Sequence, residues 1–365
     1  MGKRTPLYQT HVELGAKIVD FSGWDMPLNY GSQLDEHHQV RRDAGVFDVS
    51  HMTVVDMRGK RIREFLCYLF ANDVNRLQNK GKALYTCMLN ERGGVIDDLI
   101  VYYLDDEFFR VVFNAGTRDK VLAWVTGHCG PYDVTMTQRD DLAMIAVQGP
   151  HARDKTHGVI GAQAAKAAMA LTPFNAVQTG DLFIARTGYT GEDGYELMVP
   201  VTQVNKVWGG LLENGVKPIG LAARDTLRLE AGMNLYGVDM DESTSPLESG
   251  LGWTIAWEPE QRNFIGRAAL ETQRRDENRQ KFVGLVLEDR GVLRNHMTVV
   301  IDGRPAGEIT SGGFSPTLGR AIAFARVPRN VGATCQVDIR GKLLNAIVVK
   351  PPFVRNGKSC LDITF

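Results

Sequence analysis

The chain has 365 residues, of which 44% are hydrophobic and 23% charged, and its formal net charge is −1. This is the composition of a soluble globular protein with two or three domains, since single cores stop growing near about 250–300 residues. The balanced charge argues against nucleic acid or an anionic membrane as a partner, and no apolar run approaches the roughly 18 residues that a membrane helix needs.

The start, Met1-Gly2-Lys3-Arg4-Thr5-Pro6-Leu7, has no apolar signal core, and Pro6 stands where a myristoylation pattern requires Ser or Thr. Residues 32–45 read as a polar-faced helix ending near Gly45, and residues 60–71, with Ile62, Phe65, Leu66 and Leu69, as an amphipathic one. Strands follow at 83–90, 94–104 and 108–114, an antiparallel set whose first turn is Asn90-Glu91-Arg92-Gly93-Gly94. A helix-and-strand block spans 141–201, and a further helix spans 221–236. Residues 271–280 contain no apolar side chain and read as a helix end running into a linker. Short strands then recur at 282–287, 298–301, 307–311, 320–327, 334–339 and 346–350, the pattern of a small Greek-key barrel or sandwich.

Chemistry is carried first by Asp97 and Asp98, adjacent in the apolar run Val95-Ile96-Asp97-Asp98-Leu99-Ile100-Val101. Alternation puts Asp97 with Val95, Leu99 and Val101, and Asp98 with Ile96, Ile100 and Tyr102. Both faces are apolar, so at least one carboxylate is sequestered, and it either caps, pairs or is used. The loop Gly188-Tyr189-Thr190-Gly191-Glu192-Asp193-Gly194 fits neither phosphate-binding nor dinucleotide-binding spacing, and Glu196 follows it on a strand. Arg224 falls in the first turn of the 221–236 helix, where a cation opposes the helix dipole. Either a carboxylate or anionic ligand resolves that conflict, or Asp225 and Glu230 balance Arg224 and Arg228 in a surface network. His37 and His38 are adjacent and cannot share a helical face, so a two-histidine metal site is not expected. Ser50 and His51 are neighbours whose side chains diverge on a strand, which argues against a triad. The five cysteines, Cys67, Cys87, Cys129, Cys335 and Cys360, are odd in number and widely spaced, which argues against a disulfide framework or a zinc site and for a reducing compartment.

With these motifs in view, the chain resembles the aminomethyltransferase family, the T-proteins of the glycine cleavage system. The resemblance runs through Thr5-Pro6-Leu7-Tyr8, Gly23-Trp24-Asp25-Met26-Pro27-Leu28, Phe47-Asp48-Val49-Ser50-His51-Met52 and Gly93-Gly94-Val95-Ile96-Asp97-Asp98-Leu99-Ile100. It continues in Gly188-Tyr189-Thr190-Gly191-Glu192, Gly220-Leu221-Ala222-Ala223-Arg224-Asp225, Thr310-Ser311-Gly312-Gly313-Phe314-Ser315-Pro316 and Pro352-Phe353-Val354-Arg355. It implies an α+β fold of three domains in a cloverleaf. Two interleaved α+β domains span 1–275, and a C-terminal antiparallel β-barrel or jelly-roll-like domain spans 276–365.

The implied activity moves a one-carbon unit from the aminomethyl-lipoyl arm of H-protein to tetrahydrofolate, giving 5,10-methylenetetrahydrofolate and ammonia, without a metal. Asp98 matches the family's essential carboxylate, and Glu196 and Arg224 match pterin-contacting positions. Tyr85, Tyr189 and Arg355 match further folate-channel positions, while Asp97 is left as a structural partner. The tail 356–365 departs from the family, which puts a tail contact with folate in doubt. The alternative is a non-catalytic folate-binding relative in iron–sulfur-cluster assembly, but the cysteine motif of those proteins is not present. The absence of a transit segment fits a bacterial cytoplasm.

Overall fold

A computed structural model describes residues 2–363, so the last two residues of the divergent tail lie outside the described part. Two sheets and a barrel organise the chain. The first sheet has five antiparallel strands in the order Ala83–Leu89, Val95–Asp105, Phe108–Phe113, Thr53–Arg58 and Thr135–Gln138. The second has six, in the order Ala176–Thr179, Leu182–Ala185, Gly194–Pro200, Leu142–Gln148, Gly45–Asp48 and Lys217–Pro218. Its last pair is parallel and the others are antiparallel. The two sheets are interleaved in sequence, because Gly45–Asp48 joins the second before the chain builds the first.

Each sheet has helices on its outer face. Ile62, Phe65 and Leu66 of the helix Ile62–Leu69 pack against Val101, Val111 and Phe113 of the first sheet. Trp208 and Leu211 of the helix Val204–Glu213 pack against Ile145 and Leu197 of the second. The inner faces meet each other: Val54, Tyr102 and Val112 share one core with Phe47, Met144, Phe183 and Met198. Between two covered sheets a polar group loses water on every side, which is where a carboxylate becomes chemically distinctive.

Six strands, Lys281–Leu287, Arg320–Val327, Arg304–Ser315, Thr298–Ile301, Thr334–Ile339 and Lys342–Val349, close into an antiparallel barrel. Closure decides the choice between barrel and sandwich and leaves no exposed sheet edge. The Arg304–Ser315 strand runs longer than the predicted 307–311, because a bulge between Ile309 and Ser311 lets it bend around the barrel. The helix expected over 221–236 ends at Glu230, since Gly232 takes a φ of +77° that no helix continues through. Among the described residues no helix is long and apolar enough to cross a membrane.

Glu230 ties these units together. It is fully buried and accepts from Arg41 Nη2 at 2.8 Å, from Thr317 Oγ1 at 2.8 Å, from the Thr317 amide at 3.0 Å and from Ser315 Oγ. His37 Nε2 lies 3.3 Å away, and Arg41 also donates to Glu192 at 2.7 Å and to the Thr190 carbonyl at 2.7 Å. One carboxylate thus joins the helix Gln33–Arg42, the helix Leu221–Glu230 and the barrel. Burial by itself would raise its pKa, but the His37 hydrogen bond and the His37 and Arg41 charges overcome that and hold it at about 2.

Glu230→Ala leaves Arg41 with an incomplete set of buried partners and is expected to cost about 3–5 kcal/mol in denaturant unfolding at neutral pH. Because the folded pKa lies below the ordinary glutamate value, the stabilisation is present above about pH 4.5 and fades toward about pH 2. Unfolding curves recorded down that window are expected to lose stability less steeply in Glu230→Gln than in the wild type.

Candidate active site

Asp97 and Asp98 lie near the start of the strand Val95–Asp105. The sequence grouping of their neighbours is corrected by a bulge: Leu89 pairs with Val95 but Met88 pairs with Asp97, so Ile96 is an extra residue. Ile96 therefore joins Met88 and Leu99 in the core of the first sheet, while Val95 joins Cys87, Leu251 and Phe264. Beyond the bulge alternation holds. Asp97 sits opposite Met88 and is fully buried, whereas Asp98 sits opposite Cys87 on the other face and keeps part of its surface accessible.

The turn before them requires glycine at 94, because a Cβ there would stand 1.8 Å from the Glu242 carbonyl. That close approach lets the Val95 amide donate to Asp241 O and Thr244 O, which fixes the strand's entry.

Asn114 holds both aspartates. Its Nδ2 donates to Asp97 Oδ1 at 2.8 Å, Asp98 Oδ1 at 2.9 Å and the Asp98 carbonyl at 3.0 Å, and its amide N–H donates to Asp97 Oδ2 at 3.1 Å. The other oxygen of Asp98 accepts from Tyr85 Oη at 2.7 Å. Burial raises the Asp98 pKa above the usual carboxylate range, the Tyr85 and Asn114 bonds pull it back, and the Asp239 charge adds to the rise. Burial and then the neighbouring Asp98 charge raise Asp97. The result is one carboxylate fully buried and one partly accessible, held by neutral donors.

Glu196 lies on the strand Gly194–Pro200. It is buried, and burial raises its pKa. Thr187 Oγ1 donates to its Oε2 at 2.5 Å, and Oε1 has no hydrogen bond among the described residues. The glycine-rich loop before it wraps the Gln148 side chain, and a Cβ on Gly188 would stand 1.9 Å from Gln148 Oε1. Gln148 accepts from Thr190 Oγ1 at 2.9 Å and donates to the Thr187 carbonyl at 3.1 Å, which sets Thr187 beneath Glu196. The loop also presents Tyr189, whose hydroxyl donates to the Asn234 carbonyl.

Arg224 lies over the Tyr189 ring at 4.6 Å and 5.9 Å from the Phe47 ring. Its Nη1 is buried without a partner among the described residues. The surface network allowed by the sequence does not form around it: Asp225 pairs with Arg228 at 2.8 Å, and Glu230 is committed to the clamp. Arg228 points elsewhere, to Asp239 at 2.9 Å and Ser311 at 3.0 Å. Burial raises the Tyr189 phenol; the Arg228 and Arg224 charges oppose that and Asp98 adds to it, so Tyr189 lies within the fields of both Asp98 and Arg224.

Contacts and charges therefore link five of the expected residues: Tyr85 bonds Asp98, Arg224 lies over Tyr189, the Asp98 charge acts on Tyr189 and the Arg224 charge on Glu196. Arg355 lies outside that group, exposed on the hairpin Val354–Arg355 and Lys358–Ser359, whose Asn356 amide donates to Gly191 O in the Tyr189 loop. Asn114, Thr187 and Trp253 escaped the sequence reading. Asn114 directly follows the strand Phe108–Phe113, whose pairing with the Asp98 strand is irregular at Tyr103–Asp105, so no local pattern set its register against the aspartates. Trp253 is 65% exposed and stacks on the Tyr85 ring at 5.6 Å, a contact between segments far apart in the chain. A separate open groove lined by Val159, Lys206 and Asn214 contains none of these residues. Ser50 bonds Met144 O at 3.0 Å rather than His51, in keeping with the absence of a triad.

Residues 7–259 match the family model described as the GCVT N-terminal domain, and residues 280–355 match the glycine cleavage T-protein C-terminal barrel domain. The crystal structure of glycine cleavage system aminomethyltransferase T from Bartonella henselae is similar over 98% of this chain and 99% of that one, with 34% identity and a TM-score of 0.90. A heterotetrameric sarcosine oxidase from Corynebacterium sp. U-96 aligns with 58% of this chain and 94% of its own, at 12% identity and a TM-score of 0.36, too remote to carry an argument. The family models, spanning both the interleaved sheets and the barrel, together with the end-to-end structural match, show that this chain belongs to the glycine cleavage T-protein family.

Proposed function

We propose that the chain is a tetrahydrofolate-dependent aminomethyltransferase. It takes the one-carbon unit of the aminomethyl group on the lipoyl arm of H-protein and passes it to tetrahydrofolate. The products are 5,10-methylenetetrahydrofolate, ammonia and dihydrolipoyl H-protein. The observation that carries this reading is Asp98, a carboxylate in a water-poor interior with its oxygens held by Tyr85 and Asn114. Family membership supports it, and the same membership disfavours a role in iron–sulfur-cluster assembly.

The polar groups of these residues fit a reduced pterin. Glu196 has an acceptor oxygen without a protein partner, suited to amino and ring N–H donors. Arg224 has a buried donor without a partner, suited to a carbonyl. The Tyr189 ring, with Arg224 across it, offers a flat wall, and Arg355 supplies a cation beside that loop for an anionic tail. When bound, tetrahydrofolate supplies the nucleophilic nitrogens that accept the carbon.

The residues do the rest. Breaking the carbon–sulfur bond leaves positive charge on the transferred group, and the Asp98 carboxylate stabilises that charge where little water competes. The same carboxylate takes the proton that an alkylated amine sheds, as a general base. Its raised pKa brings it closer to that task than an exposed aspartate would be. Tyr85 and Asn114 fix its direction, and Asp97 anchors Asn114 from behind.

Asp98→Asn is expected to keep the fold and tetrahydrofolate binding while lowering kcat by about 100-fold or more. Release of ammonia and methylenetetrahydrofolate from aminomethylated H-protein measures this, and near-wild-type turnover would sink the assignment. Catalysis needs Asp98 ionised, so activity rises with pH through its pKa. Tyr85→Phe removes a bond that lowers that pKa. The acid limb of the kcat/KM profile is therefore expected to move to higher pH, and an unmoved limb would count against Asp98 as the titrating group.

A further inference from the structure

The barrel strand Arg304–Ser315 is bulged at Thr310. Ile309 pairs with Ala325 and Ser311 with Phe324, so Thr310 is the extra residue. Regular alternation would send Thr310 and Ser311 to opposite faces of the strand. The bulge instead turns both away from the barrel core that Ile309 helps to fill. Ser311 Oγ accepts from Arg228 Nη2 at 3.0 Å, and Thr310 Oγ1 donates to Asp239 Oδ1 at 2.5 Å. Thr310 is 4% exposed and Asp239 is fully buried. Thr310 is the one donor to Oδ1 among the described residues. Oδ2 accepts from Arg228 Nη1 at 2.9 Å and from the Leu235 amide at 2.8 Å.

Asp239 belongs to the irregular segment 234–244, which runs along the start of the Asp98 strand. The Val95 amide donates to Asp241 O at 3.0 Å and to Thr244 O at 3.1 Å, and the Val95 carbonyl accepts from Tyr236 Oη at 3.0 Å. Met240 shares a core with Val95 and Cys87. Both backbone groups of Val95, three residues before Asp98, are thus bonded to this segment. The same segment takes the Tyr189 hydroxyl on the Asn234 carbonyl. A carboxylate that must face a reacting centre tolerates little displacement, since an error of about 1 Å can cost roughly 100-fold in rate.

We propose that Thr310 is a positioning residue for Asp98. The bulge aims its hydroxyl at Asp239, Asp239 fixes the 234–244 segment, and that segment fixes the entry of the Asp98 strand. The barrel then contributes to turnover without touching the reacting atoms. The inference rests on Asp98 acting as the carboxylate of the reaction proposed above.

The test uses the full chain and the variants Thr310→Val, Thr310→Ser and Tyr236→Phe. Valine keeps the shape of threonine and lacks the hydroxyl, serine keeps the hydroxyl, and Tyr236→Phe removes the bond to the Val95 carbonyl without touching the barrel. Release of ammonia and methylenetetrahydrofolate gives kcat. Calorimetric titration with tetrahydrofolate gives the dissociation constant and the fraction of chains that bind. Amide hydrogen exchange of the peptide covering 93–98 reads the strand entry in the absence of any ligand. Thr310→Val is expected to lower kcat about tenfold or more, with the dissociation constant and the binding fraction nearly unchanged. Exchange at 93–98 is expected to quicken by about tenfold, the size of one lost hydrogen bond. Thr310→Ser is expected to restore most of both losses. Tyr236→Phe is expected to lower kcat as well, and the double variant with Thr310→Val to lose less than the product of the single losses, because both act through one segment. An unchanged kcat or exchange rate in Thr310→Val overturns the positioning role, as does a kcat that falls only in proportion to the binding fraction, failure of serine to restore it, or a double variant equal to the product. If Thr310→Val does not fold, Tyr236→Phe decides, and its unchanged kcat and exchange overturn the route through the segment. Each of these results leaves the proposed function standing; a wild type that releases neither product overturns that function itself.

Discussion

The Glu230 carboxylate is the constraint on which the geometry of this molecule rests. It is buried where a helix of the N-terminal body, the helix that carries Arg224 and the barrel converge, and each contributes a donor or a cation to it. A buried carboxylate with several such partners resists displacement, because moving any one segment strands charge in a place without water. Glu230 sits six residues after Arg224 on the same helix, so the clamp also sets where Arg224 points. The barrel contributes by closing one side of the clamp through Ser315 and Thr317.

Two kinds of buried acid follow from this arrangement. Glu230 is surrounded by positive charge and donors, and its pKa falls. Asp98 and Glu196 have neutral donors close by and low-water surroundings, and their pKa values rise. The first kind holds the fold. The second keeps capacity for a ligand or a proton. Arg224 shows the same property among donors, since its buried Nη1 has no partner among the described residues. Such a group is costly unless something binds it.

Much of the frame was legible from residue patterns. The helix spacing of Ile62, Phe65, Leu66 and Leu69 reflects a single apolar face, and that face does pack on the first sheet. Turn-marked short strands after residue 280 announced an all-β unit, and it closes as a barrel. Adjacent aspartates in an apolar run marked an unusual environment without naming its partners. The neighbours of those aspartates were misgrouped because one bulged residue, Ile96, reverses the alternation before them, and no local pattern signals a bulge in so apolar a run.

By itself the sequence determined which residue types were available and on which local elements: a carboxylate pair on a strand, a glycine-rich loop before Glu196, and an arginine in the first turn of a helix. Those are properties of short windows, governed by side-chain periodicity and turn chemistry. Only the tertiary structure decided which of these groups keep a protein partner. Asp225 and Glu230 are close to Arg224 in the chain but are taken by Arg228 and by Arg41 with His37, whereas Asn114, just past the end of a neighbouring strand, holds both aspartates. Pairing of buried charges depends on distances between segments far apart in sequence, and desolvation depends on what covers them, so neither is encoded in any single stretch of the chain.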